Sequence, residues 1–596
     1  MTQVRLLAIL LGTAVAAAAG GGAAAVDPPA DGSPAARLHA LFEREWRWRL
    51  IESPELATAV GVHEYDDRLS AESLADYARR DRETAAFLAE LAAVDRAALP
   101  HADQVNYDIF RAQLVERRDS YRFGEQDLQL NADSGFHTAF ADLAQSHPRA
   151  TVRDLENYLA RLRAFPRYMD EKIALLEEGL ERGMTPPKVT LAGVETTLDP
   201  LIVDDPERSP LFRAFPAMSA SIPAADRERL TRLGREAIAT AVTPAYRKFR
   251  EFLLARYLPG CRETLAASAL PDGEAYYRFL IRQFTTLDRG AREIHDLGLA
   301  EVARIRGEMA AVIARTGFRG SFAEFLEFLR SDPRFYAKTP EELLKDAAWI
   351  AKRMDGKLPS LFRTLPRQPY GIEPVPDYLA PKYTAGRYSP SPKDSTEPGW
   401  YWVNTTALAT RPLYNLEALT LHESVPGHHL QGALAEEQEG LPDFRRYSYI
   451  SAYGEGWGLY SEWLGIEAGF YTDPYSEFGR LTYQMWRACR LVVDTGVHAF
   501  GWTRQQMLDF LGTNTALSRH EIETETDRYI SWPGQALSYY TGYLELRRLR
   551  AEAQSELGPR FDVRDFHDAV LRQGAVPLPV LADEIRRYIA ARKAAP

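Results

Sequence analysis

The chain has 596 residues, a formal net charge of -11 and a sequence pI of about 5.7. Hydrophobic residues at 45% and charged residues at 26% are the composition of a globular protein able to bury a large core. The acidic balance, without a concentrated basic face, argues against a nucleic-acid partner.

Arg5 precedes the apolar run Leu6–Leu11, which continues through Gly12 into alanines up to Ala19. A short positive region, an apolar stretch and then small residues is the layout of a secretory signal peptide. Residues 1–25 are therefore expected to direct export, to a periplasm or outside the cell, and to be removed. The run is too short for a comfortable membrane span, so no stable membrane insertion is expected after cleavage. The two cysteines, Cys261 and Cys489, lie far from this segment, which disfavours a lipid anchor, and the sequence does not fix whether they pair. Any metal site must then rely on histidines and carboxylates.

Residues 26–36 read as a flexible Ala/Pro/Gly-rich segment, followed by helical patterns that predict an N-terminal lobe over 37–365. Within it Thr151-Val152-Arg153-Asp154 resembles a capping box opening a helix toward Gly183. Residues 226–256 continue the helical reading with a break near Pro244, and 288–316 repeats apolar positions at helical spacing. Ser321 with Glu324 and Thr339 with Glu342 mark two further helix starts. The regime breaks over about 365–410, rich in Pro, Gly, Tyr and Ser, where Gly399–Thr406 has the aromatic and β-branched content of a strand. Helices resume near Tyr414 and fill a C-terminal catalytic lobe, 366–596. The fold class is all-α, with a small β element before the helix that carries the main motif.

That motif is His422-Glu423-Ser424-Val425-Pro426-Gly427-His428-His429, which holds three of the chain's 12 histidines. In the common arrangement His-Glu-x-x-His, two imidazoles one helical turn apart reach a single zinc ion, and the glutamate takes a proton from the water it activates. Here the position one turn after His422 is Pro426, which cannot ligate. On a straight helix His428 would face away from His422, and His429 would lie about 10.5 Å further along. Pro426 lacks an N–H and biases Val425 away from helical angles, while Gly427 frees the backbone. A bend over 424–427 would thus return His428 or His429 toward His422, and we favour His428. The third ligand is sought in Tyr453-Gly454-Glu455-Gly456-Trp457-Gly458, where Glu455 is flanked by a glycine on each side. Glu462, two turns on, is placed to support a ligand histidine through its second N–H. Arg490 and His498 lie roughly on one helix face and would reach substrate carbonyls or a terminal carboxylate, while Asp494, midway between them, would equally neutralise Arg490 in a structural ion pair; none of the three is assigned a role.

His-Glu-x-x-Pro-Gly-His-His-Leu-Gln from His422, Glu-Gly-Trp-x-Leu-Tyr from Glu455, and the segments Arg490–His498, Asp527–Ile530 and Pro533–Tyr539 together resemble the bacterial domain of unknown function 885 family. The likeness is loose in the N-terminal half and dense from about 400 to 545. That family is in turn similar to helical zinc peptidases typified by thimet oligopeptidase and the Taq-type carboxypeptidases. The resemblance implies a zincin-like, elongated, two-lobed molecule with a central cleft. Carried over by position, it gives Zn²⁺ held by His422, His428 or His429, and Glu455. It also makes Glu423 the general base and Tyr539 the donor to the oxyanion. The expected activity is zinc-dependent hydrolysis of short peptides. Two other classes fit the same residues: an exported non-catalytic peptide-binding protein, and a metal hydrolase of non-peptide amides or esters. Metal content separates the first from an enzyme, and a panel of peptide, amide and ester substrates the second.

Overall fold

Ser33 accepts a hydrogen bond from the Ala36 amide, Pro34 follows with its fixed φ, and a helix begins at once: α1 (Pro34–Glu52). The computed structural model describes residues 32–132, 134–376, 380, 383–390 and 398–595. The signal-peptide segment lies outside the described residues. The flexible stretch expected to reach residue 36 gives way to helix at Pro34, because Ser33-Pro34 is itself a helix start.

Further along, α2 (Leu74–Ala92), α3 (His101–Phe123) and α4 (Val152–Arg182) form the first half of the chain. The α4 start is a reciprocal cap: Asp154 N donates to Thr151 Oγ1 at 3.2 Å, and Thr151 N donates to the Asp154 carboxylate at 2.9 Å. Gly183, at φ 72°, ends it. Pro244 does not interrupt the next pattern. Wide π turns at Ile238–Val242 and Leu253–Tyr257 keep Ala224 to Gly260 continuously helical, and Pro244 falls just after the first of them. The 288–316 pattern is α5 (Ala291–Thr316), and Thr339 caps α6 (Pro340–Asp355), accepting from Glu342 N at 3.1 Å.

The three strands are β1 (Tyr370–Pro374), β2 (Gly386–Ser389) and β3 (Gly399–Val403), in the order β1-β3-β2. β3 runs parallel to β1 and antiparallel to β2, with Tyr401 opposite Ile372 and Tyr388. Gly399, Tyr401 and Val403 point inward in alternation, as the aromatic strand pattern predicts. The flanking strands are short and lie in Pro/Gly/Tyr-rich sequence without such alternation, so only β3 was expected.

After two 3₁₀ turns, Leu408–Thr410 and Leu413–Asn415, come α7 (Leu416–Glu423), α8 (His428–Glu436), α9 (Ser451–Leu464), α10 (Pro474–Phe500), α11 (Arg519–Ser531) and α12 (Ser538–Leu557). Every residue of α10 from Phe478 to His498 is buried, the mark of a central helix covered on all sides. α5 lies along it, with a Cβ at Gly298 reaching 2.8 Å from Leu491 Cβ. α9 and α12 cross with almost no gap: a Cβ at Gly542 would stand 1.9 Å from the Ala452 carbonyl oxygen.

Two large apolar clusters make up most of the core. One apolar cluster joins residues between Leu38 and Leu114 to residues between Ala267 and Ile589; a second draws on Leu69 to Cys261. α1, α2, α3 and α5 thus share the core of the C-terminal half, whereas α4 packs in the second cluster. Cys489 belongs to the first cluster and Cys261 to the second; both are buried and free. Among the described residues, no helix is long and apolar enough to cross a membrane.

Gly542→Ala is expected to lower stability by about 1–3 kcal/mol through overpacking. Gly307→Ala, exposed on α5 with nothing within 4 Å of its Cβ, should be neutral or stabilising. Denaturant melts of the two variants check this contrast.

Candidate metal centre

α7 stops at Glu423, and α8 starts at His428. Between them Ser424 takes φ -95°, ψ -115°, the Val425–Pro426 bond is cis, and Gly427 lies so close that a Cβ would be 1.9 Å from the His422 carbonyl oxygen. The chain therefore folds back on itself, and Trp457 Nε1 on α9 donates to the Pro426 carbonyl at 2.8 Å, fixing the turn.

This turn brings His428 to His422: their ring centroids are 4.7 Å apart with the planes at 85°. Glu455, on α9, joins them. His422 Nε2 and His428 Nε2 each lie 3.5 Å from the same oxygen, Glu455 Oε2. Bonds of about 2.0–2.1 Å in a tetrahedral arrangement separate neighbouring ligand atoms by about 3.3–3.4 Å. The observed separations fit one divalent ion, and all three ligand atoms lie within 4.8 Å of one another. The His422 side chain is 3% exposed, whereas Glu455 and His428 keep 13% and 17%, so solvent reaches the centre from their side.

The surroundings call for positive charge at this point. Burial alone would strip the proton from His422, but bonds to Glu455 and Glu462 and the charge of Glu423 prevail and push its pKa up to about 10. Glu455 is held well below the ordinary carboxylate range, its burial outweighed by its two histidine partners. A metal ion between the imidazoles would satisfy the same field that otherwise retains a proton.

Behind the cluster, His422 Nδ1 bonds Glu462 Oε1 at 2.7 Å, fixing the ring so that Nε2 faces Glu455. Arg487 Nη2 stands 3.5 Å from the same Glu462 oxygen. Glu423 is buried, and its Oε2 accepts from the Tyr388 amide of β2 at 2.8 Å. The small sheet thus orients the carboxylate next to His422.

His429 lies outside this group. Nδ1 lies 3.1 Å from the Tyr388 hydroxyl and Nε2 3.2 Å from the Gln368 carbonyl, so both ring nitrogens are engaged away from the cluster. Burial lowers its pKa to about 4, keeping it neutral, and the ring wedges between α8 and the sheet. One residue along the first turn of α8 is enough to send the side chain to another face.

Tyr539 is half-buried, with its ring 4.3 Å from the Arg490 guanidinium carbon. The tyrosine that does reach the cluster is Tyr449, whose hydroxyl donates to Glu455 Oε1 at 2.9 Å. Tyr449 and the Tyr388 amide are the participants that sequence reasoning missed. They come from the loop before α9 and from a strand, where no spacing rule points to a metal.

Arg490, Asp494 and His498 are buried and each is bonded to protein groups. Arg490 donates to the Tyr529 hydroxyl at 2.7 Å and pairs with Glu525 at 3.2 Å, not with Asp494. Asp494 accepts from the Tyr277 hydroxyl at 2.5 Å and from Gly534 N at 3.1 Å; burial pushes its pKa up to about 7. His498 accepts from Ala267 N at 3.1 Å, and its other nitrogen meets the Tyr529 carbonyl at 2.9 Å.

A mainly helical chain with a two-histidine, one-glutamate cluster on facing helices is the class that fold and site define. The chain belongs to the family described as "Bacterial protein of unknown function (DUF885)", which matches residues 54–585. No curated protein matches it. Among solved structures it is similar to one described as "putative lipoprotein from Colwellia psychrerythraea", at TM-score 0.88 and 28% identity over 94% of this chain and 100% of that one. A second, "a putative lipoprotein of unknown function from Shewanella oneidensis", shares the fold at TM-score 0.71 and 18% identity, over 93% of this chain and 99% of that one.

Glu462→Gln is expected to weaken divalent-metal affinity about 10–100-fold by loosening the His422 ring. Gly458→Ala, whose Cβ would lie 2.6 Å from His422 Cε1, should weaken it as well. Chelator competition measures both, and unchanged affinity in the two variants would contradict the arrangement.

Proposed function

We propose that this protein is an exported zinc-dependent peptidase acting on short peptides. One observation carries the reading: two imidazole Nε2 atoms converge at 3.5 Å on a single oxygen of Glu455, beside the Glu423 carboxylate. Two histidines and one glutamate are the donor set of zinc sites that keep a position open for water. When bound, zinc would acidify that water and polarise the scissile carbonyl.

The remaining work falls to the chain's own side chains. Glu423, steadied at Oε2 by the Tyr388 amide at 2.8 Å, takes the proton from the attacking water and returns it to the departing amine. Glu462 keeps the His422 ring in the tautomer that presents Nε2 to the centre. Tyr539, its ring set against Arg490, is assigned as a hydrogen-bond donor to the oxyanion. The resemblance to helical zinc peptidases supports a peptide as substrate. Export is supported by the Arg5–Ala19 pattern and by the description of the two similar structures as lipoproteins.

Glu423→Gln should retain metal and lose about 10²–10⁴-fold in peptide hydrolysis, the usual contribution of a general base. Turnover near that of the unaltered protein, measured on a quenched-peptide panel with metal content checked in parallel, would exclude the assigned role.

A further inference from the structure

Glu455 offers its two oxygens to different partners. Oε2 faces His422 Nε2 and His428 Nε2 at 3.5 Å each, whereas Oε1 accepts from the Tyr449 hydroxyl at 2.9 Å. The carboxylate lies largely buried, at 13% side-chain exposure, so an oxygen without a donor would be costly there. Tyr449 is held for this task by packing. Its ring lies over Gly454, where a Cβ would come within 2.7 Å of the tyrosine hydroxyl oxygen, one residue before the carboxylate that it contacts. Loop and helix start are therefore built around the placement of a single phenol.

The consequence concerns coordination number. A carboxylate can bind a metal through one oxygen or through both, and a second Glu455 oxygen would occupy the position that a water-activating centre leaves open. A hydroxyl bonded to an anionic oxygen makes a short, strong hydrogen bond that competes with chelation. We propose that Tyr449 is a positioning residue that keeps Glu455 a one-oxygen ligand and so preserves the open position of the centre. The inference rests on the metal reading above and goes beyond it by adding a group that acts through Glu455.

Tyr449→Phe removes the hydroxyl while keeping the ring on Gly454, and cobalt(II) loading of the full-length protein reads the result without relying on turnover. The unaltered protein is expected to give the intense visible bands of four-coordinate cobalt. Tyr449→Phe should lose much of that intensity as Oε1 joins the ion, and its metal affinity, measured by chelator competition, should shift from that of the unaltered protein. Superimposable cobalt spectra for the two proteins would overturn the Tyr449 inference alone. Failure of the unaltered protein to bind cobalt at all would overturn the metal reading and this inference together.

Discussion

The His422 ring rests on a position that has no side chain. A Cβ at residue 458 would lie 2.6 Å from Cε1 and 2.7 Å from Nε2 of that ring, so α7 and α9 can meet here only because residue 458 is glycine. The sequence of α9 then does the rest. Glu455, Gly458 and Glu462 fall at intervals of three and four residues, which places them in a row along one helix face. The imidazole sits over the middle of that row, with Nε2 toward Glu455 on one side and Nδ1 bonded to Glu462 on the other. A single close approach thus fixes ring position, tautomer and the direction of its free nitrogen.

The second imidazole depends on the same pair of helices by another route. The turn after Glu423 returns the chain to α9, and the Trp457 indole, next to Gly458, holds the Pro426 carbonyl. Glu423 is oriented from the opposite side by the Tyr388 amide on β2. Helix α9 is in turn pressed against α12 at Gly456 and Gly542, where a Cβ on residue 456 would come within 2.6 Å of the Gly542 Cα. The candidate centre therefore stands on rigid, buried elements, with limited solvent access on the side of Glu455 and His428, 13% and 17% exposed.

Much of this was legible in the sequence, for reasons that differ between elements. The α4 cap, the β3 strand and the α5 periodicity follow from local rules that tertiary packing leaves intact. His422, Glu455 and Glu462 were readable because helical spacing alone puts the two carboxylates on one face. The choice between His428 and His429 was not readable to the same degree. It turns on the dihedral angles of four residues between α7 and α8, and one residue of phase decides which ring points inward. Tyr449 and the Tyr388 amide were invisible, since a loop hydroxyl and a backbone N–H leave no periodic mark. Which element each N-terminal helix packs against was not readable, because an amphipathic helix announces that it has a partner without saying which. α1 and α3 find theirs in the C-terminal half.

In the proposed centre His422, His428 and Glu455 share one metal ion, with His429 outside the set. Elemental analysis of the unaltered protein, His428→Ala and His429→Ala, each purified without added metal, tests it directly. One zinc per chain is expected in the unaltered protein and in His429→Ala, and loss of zinc in His428→Ala. Zinc retained by His428→Ala but lost from His429→Ala would contradict that arrangement, as would its absence from all three.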